Sequence, residues 1–423
     1  MKQFILYCIF WVIGISVIIW HPNIYAEKNR NISLPVAVLL NQVSSLTYQN
    51  KCREVVRLLE SDTHSHYLLN FALGNCYLET SKTEQAIQQY QKVLTLKPDY
   101  FPAWSNLAKS FYDLKNYLNA AESFFHGYHY SNPKNGQFLY FSAVAYQAGH
   151  QPQKAIKIFH LLMDHHPELI QLQWKELLIQ SLFSLERNRE ALPYIEEIIE
   201  KSENIQRVKA WEETLLYQYI TLEMVKKATV LAEKLVIKEP LKPKWWKTLS
   251  HLKLAVKDYK ETLVAMTIYS ELTSLSQNEQ KLLAFLNLKL NIPRQSIQLY
   301  EQILSKSVNP EIVTGLVHSY LKLQQPEAAL KWTRIGLKNF EDTSLRIIKA
   351  NLLVKMEAYQ EASEDYQILT ADHPQNGQYW LMLGYTAFKS ENRKLAISAL
   401  KKAITFPEQK QAARSILKQI ART

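Results

Sequence analysis

Three pairs of histidines have the spacing of metal ligands: His64-x-His66, His126-x-x-His129 and His165-His166. Imidazole suits zinc or copper, but a site also needs thiolates or carboxylates to close the ligand set. No cysteine lies near any of these pairs and few carboxylates are well placed, so no metal site is expected. A second segment, Lys242-Pro243-Lys244-Trp245-Trp246-Lys247, interleaves cations with indoles as single-strand nucleic-acid platforms do. The chain has only 9 glycines in 423 residues, none as Gly-x-Gly or in a Walker-type spacing, so phosphate-cradling loops have no candidate. No Ser/His/Asp or Cys/His arrangement is readable either. The sequence thus offers no catalytic residue and no cofactor.

The elements that would carry these residues are helical and repetitive. Leu73-Gly74, Tyr77, Ala86, Tyr90 and Pro98 set out a unit of large apolar, small, aromatic, small, aromatic and proline between Tyr67 and Tyr100. Trp104, Leu107-Ala108, Phe111, Ala120 and Phe124 repeat it, as do Leu139, Ala143, Tyr146, Ala155, Phe159 and Pro167. Weaker copies follow, and Trp380, Leu383-Gly384, Ala396 and Ala403 restore the pattern. Each unit reads as two amphipathic helices, A and B, whose small residues allow close approach while the aromatics fill the gaps. One pair cannot bury both apolar faces, so neighbours must stack.

This pattern resembles the tetratricopeptide (TPR) repeat. The resemblance implies an all-α TPR-type α-solenoid: a right-handed superhelix of about eleven helix pairs over residues 36–407, closed by a capping helix at 408–423. Unit starts are expected near 36, 67, 101, 136, 172, 209, 243, 277, 310, 343 and 377. In the cap, Ala412, Ala413, Ile416, Leu417 and Ile420 should form one apolar stripe. Nothing much longer than one repeat remains for a catalytic domain, so an enzyme is not expected. Trp246 falls in the register of Trp104 and Trp380 and reads as core, which leaves Trp245 and Lys247 to face a partner.

The N-terminus has the layout of a secretory signal: Lys2, an apolar run from Phe4 to Trp20, Pro22, and Ala26 before Glu27. Cleavage after Ala26 is expected, with residues 27–35 as a short linker and a periplasmic location. The alternative is an uncleaved inner-membrane anchor with the array facing the periplasm, the chain's one membrane contact. Cys52 and Cys76 are the cysteines left after cleavage, an even count in an oxidising compartment. Because adjacent TPR helices run antiparallel, the start of one B helix and the end of the next A helix can meet. A disulfide and two buried free thiols are the two readings.

The chain also looks like exported bacterial TPR proteins described as components of a TonB energy-transduction system. The residues behind this likeness are Trp174-Lys175-Glu176 with Ala191-Leu192-Pro193, Trp245-Trp246-Lys247, the run from Trp380 to Tyr385, and the run from Phe406 to Arg414. It implies a non-catalytic scaffold with protein partners in the envelope.

In resembling arrays, positions 2, 5, 9 and 12 of helix A line a concave groove. Here these include Lys109, Tyr112, Tyr140, Gln147, Gln180, Tyr217, Lys247, His251, Lys281 and His318. Aromatic, amide and basic groups suit an extended peptide, whose acidic groups would find the lysines. They also suit sugars, so a carbohydrate-binding TPR protein of polysaccharide export is the rival reading. The net charge of +11 is carried by Lys and Arg never more than two in succession, the pattern of solvated helix faces, and no nucleic-acid partner is expected.

Overall fold

The computed structural model describes residues 32–304 and 309–422. The expected signal segment, residues 1–26, and most of the expected linker lie outside the described residues. Twenty-three α-helices and no strand are found among those residues, in two compact units, Met1–Leu222 and Glu223–Thr423.

Unit 1 holds α1 (Leu34–Tyr48), α2 (Cys52–Glu60), α3 (Tyr67–Glu79), α4 (Thr83–Leu96), α5 (Phe101–Asp113), α6 (Tyr117–Tyr130), α7 (Gln137–Ala148), α8 (Pro152–His165), α9 (Leu172–Phe183), α10 (Asn188–Lys201) and α11 (Ile205–Thr221). Unit 2 holds α12 (Val225–Lys238), α13 (Pro243–Ala255), α14 (Tyr259–Leu272), α15 (Gln277–Lys289), α16 (Pro293–Leu304), α17 (Pro310–Lys322), α18 (Pro326–Asn339), α19 (Thr343–Lys355), α20 (Tyr359–Asp372), α21 (Gly377–Lys389), α22 (Arg393–Ile404) and α23 (Lys410–Arg422). Odd-numbered helices up to α21 are A helices and even-numbered ones are B helices. α11 begins at Ile205, earlier than the start expected near 209.

Local chemistry sets the helix ends. Asn309 and Asp342 cap α17 and α19 by accepting from Ile312 N and Leu345 N, and Ser276 with Glu279 forms a capping box on α15. The A-to-B turns share a device: one residue in the left-handed region, from Asn50 (φ 55°) through Lys115 (φ 60°) to Glu391 (φ 64°). The following N–H then reaches back five residues, as from Asn116 N to Phe111 O at 2.8 Å and from Asn392 N to Ala387 O at 2.8 Å. No described glycine has positive φ, so the turns of this glycine-poor chain are made by Asn, Ser, Lys, His, Gln and Glu.

Glycine serves packing instead. A Cβ on Gly74 would stand 2.7 Å from the Tyr90 ring, and one on Gly384 would stand 2.5 Å from Leu400 Cγ. These are A-against-B contacts within one hairpin, closed by Tyr90 and Leu400, both fully buried. α23 covers α22 and α21 with buried Ala413 and Ile420 and half-buried Ile416 and Leu417; Ala412, expected on that stripe, is exposed.

The tryptophans correct the expected register. Trp246 is half-buried, not core, and its Nε1 donates to Pro240 O at 2.8 Å. Trp104 and Trp380 do the same to Pro98 O and Pro374 O, at 2.8 and 2.9 Å, each tying the start of an A helix to the preceding proline turn. Trp245, expected to face a partner, is buried and donates to Glu239 Oε2 at 2.9 Å. An indole that must keep its N–H bonded sits at the helix edge, where a carbonyl is within reach, while its neighbour turns inward.

Candidate docking surface

Successive A helices touch one another, α7 with α9 in unit 1 and α15 with α17 in unit 2. Side chains one repeat apart therefore meet on this layer. In unit 1, Tyr140 of α7 stacks on Trp174 of α9 with centroids 4.2 Å apart and planes at 14°. Further along the same two helices Gln147 Nε2 donates to Gln180 Oε1 at 3.1 Å. Glu176 of α9 then accepts from Arg207 Nε at 2.6 Å and Trp211 Nε1 at 2.9 Å, both on α11. Gln147 Oε1 is buried and makes no hydrogen bond, while the Gln180 side chain beside it is exposed.

In unit 2 the same layer is ionic. Lys247 Nζ of α13 lies 2.7 Å from Glu279 Oε1 of α15, and Lys281 Nζ of α15 lies 3.1 Å from Glu311 Oε2 of α17. Burial pushes the Glu279 carboxyl up, but hydrogen bonds from Lys247 and from Ser276 outweigh it and hold the group down at about 2. Further along α15 and α17 lies a depression of about 560 Å³ lined by Phe285, Leu288, Lys289, His318, Leu321 and Lys322. Lys289 Nζ also lies 5.4 Å over the Tyr259 ring.

The ten residues expected to line the groove fare unevenly. Gln180, Tyr217, Lys247, His251 and His318 are exposed, and Lys109, Tyr112, Gln147 and Lys281 are half-buried. Tyr112 packs edge-on against Tyr117 at 5.2 Å, and burial raises its hydroxyl pKa. Tyr140 is 4% exposed, so it is a packing residue and not a ligand contact; the ring is consumed by Trp174. Lys247 and Lys281 are already neutralised by carboxylates one repeat on, which removes the ground for expecting them to seek an acidic ligand.

Histidine geometry follows local needs. His66 Nδ1 accepts from Leu68 N at the start of α3, His126 stacks on Trp104 at 4.5 Å, and His166 meets Tyr128 OH at 3.3 Å. His165 is the last residue of α8. Among the described residues no group of three or more His, Cys, Asp and Glu is arranged to hold a metal. Cys52, the first residue of α2, and Cys76, near the end of α3, are disulfide-bonded with Cα atoms 4.9 Å apart.

Sequence reasoning missed Trp174 and Arg207 as parts of this layer, and of the Phe285–Lys322 depression it named His318 alone. A signal existed: the bonded partners stand about one repeat apart, 33 residues for Gln147 and Gln180 and 30 for Lys281 and Glu311.

Two family models match the chain, a TPR repeat over residues 74–115 and a tetratricopeptide repeat over residues 349–413. The helical stack is thus one that contains TPR repeats. No curated protein matches. Among solved structures, Naa15/Naa10 bound to HypK-THB aligns at 16% identity and a TM-score of 0.38, covering 86% of this chain, which spans 62% of that one. YrrB, described as a TPR protein with an unusual peptide-binding site, aligns at 20% identity and a TM-score of 0.37 over 44% of this chain and 97% of its own. The Cut9-Hcn1 hetero-tetramer of the APC/C aligns at 12% identity and a TM-score of 0.29 over 90% and 83%. Neither family match is to an enzyme family.

Proposed function

We propose that the protein is a non-catalytic, exported scaffold that holds extended protein segments on its A-helix layer. TPR repeats support protein partners in general. The observation that carries the finer reading is the Gln147–Gln180 pair: two amides bonded across neighbouring A helices, with the Gln180 side chain exposed to solvent. An extended chain lying across α7 and α9 has a backbone carbonyl for the exposed Gln180 amide, which Gln147 holds in place through its own Nε2. The depression between α15 and α17 adds apolar and cationic contacts of the same repeat spacing in unit 2.

Export rests on the sequence of residues 1–26, and a role beside a TonB system rests on the sequence resemblance alone. The carbohydrate reading loses one of its aromatic platforms, because Tyr140 is buried. The test is selection of extended peptides from a random library on the full mature chain, followed by affinity measurement on Gln147→Ala and Gln180→Ala. Each substitution should weaken the winners by roughly fivefold, about one charge-free hydrogen bond, with the melting temperature unchanged. Winners indifferent to both substitutions and to His318→Ala would overturn the reading.

A further inference from the structure

The positive charge of this chain is concentrated. Residues 389–418 hold eight Lys and Arg against two carboxylates, Glu391 and Glu408, which is +6 of the chain's +11. On α23 the apolar face is spent on α21 and α22, and the opposite face carries Lys410, Arg414 and Lys418, all exposed. Their i, i+4, i+8 spacing sets them on one stripe at about 6 Å per step. Beside that stripe run Gln411 and Ser415, and these five residues with Pro407 line a shallow depression of about 450 Å³. None of the three cations is in an ion pair among the described residues, in contrast to Lys247, Lys281 and Lys349.

We propose that this outer face of α23 is a docking site for an acidic protein segment. The site is separate from the A-helix layer and does not rest on the reading given for it. A carboxylate row at helical or extended spacing, about 6 to 7 Å between successive acids, matches the cation row. The parallel Gln411 and Ser415 supply hydrogen-bond partners for peptide groups. No aromatic lines the depression, so nucleic-acid bases have no stacking platform. The exposed stripe carries no large apolar side chain to enter a bilayer, so a lipid surface is met by charge alone.

The test uses the full chain and an oligo-glutamate peptide, with a single-stranded oligonucleotide and phosphatidylglycerol vesicles as parallel probes. The wild type should bind oligo-glutamate with an affinity that falls as salt rises, and K410E/R414E/K418E should weaken it about tenfold or more. The neutral variant K410Q/R414Q/K418Q should lose most of the binding with its melting temperature retained, which keeps the test valid should charge reversal unfold the cap. Oligo-glutamate binding equal in wild type and both variants overturns the proposal. So does an affinity for the oligonucleotide or the vesicles that exceeds that for oligo-glutamate, or a pull by a second copy of this chain alone.

Discussion

Lys247 Nζ lies 2.7 Å from Glu279 Oε1 and joins the A helix α13 to the next A helix, α15. The carboxyl is also bonded by Ser276 N at 2.8 Å and Ser276 Oγ at 2.7 Å, so one side chain caps a helix and bridges two repeats. Its folded pKa of about 2 lies below the ordinary 4.5, so its contribution is fully present above pH 4.5 and is lost as pH falls toward 2. We expect Glu279→Gln to cost about 1 kcal/mol near neutral pH, a figure held low because Lys247 is 47% exposed. Hydrogen exchange across α13 and α15 should show the loss at pH 7 and a much smaller difference from wild type near pH 2. Equal protection at pH 7 would show that the pair adds nothing.

Gly384 predicts a packing penalty. Its Cβ would stand 2.5 Å from Leu400 Cγ and 3.3 Å from Leu400 N, so the neighbour cannot simply swing away. Gly384→Ala should destabilise the α21–α22 hairpin by about 1–2 kcal/mol, overpacking outweighing the gain in helix propensity. Adding Leu400→Ala should make the glycine substitution less costly than it is alone; a strictly additive double mutant would contradict the contact.

The turns predict the opposite sign. Lys115 is exposed and holds φ 60°, a conformation that costs an L-residue with a Cβ about 1 kcal/mol or more. Lys115→Gly should therefore raise the stability of the α5–α6 hairpin by about 0.5–1 kcal/mol, less the entropy glycine loses on folding. A fall in the denaturation midpoint would mean that the lysine side chain contributes more than its backbone costs.

Much of the fold was legible because the repeat has physical causes that recur. Small residues such as Gly74 and Gly384 admit a B-helix side chain, and the same spacing marks both ends of the chain. The orientation of individual side chains was less legible. Trp245 and Trp246 are adjacent indoles, and which one turns inward depends on the Pro240 carbonyl and the Glu239 carboxylate, which no periodicity encodes. The candidate surface was half legible for a similar reason: position within helix A located Gln147 and Lys247, but whether a side chain is spent on its neighbour is decided across repeats. Tyr140 is lost to Trp174 and Lys247 to Glu279 in this way.

The Cys52–Cys76 bond predicts local protection of the first hairpins. It joins α2 to α3 across 24 residues of sequence, a loop for which chain-entropy reasoning gives roughly 3 kcal/mol. The Cys52→Ser/Cys76→Ser variant should exchange amide hydrogens faster in α1 to α3 while α21 and α22 stay unchanged, since stability in stacked repeats is local. Free thiols at both Cys52 and Cys76 in the unreduced, denatured chain would contradict the bond.

Docking on the A-helix layer is measured by site-specific photo-cross-linking of a library-selected peptide to the full chain. A photoreactive residue is placed at Gln180 or His318 on the A layer, and at Lys157 or Val264, exposed positions on the B helices α8 and α14. Docking on the A layer predicts adducts from position 180 or 318, suppressed by excess unlabelled peptide, and none above background from positions 157 and 264. Adducts confined to the B-helix positions, or equal yields from both layers, would contradict it.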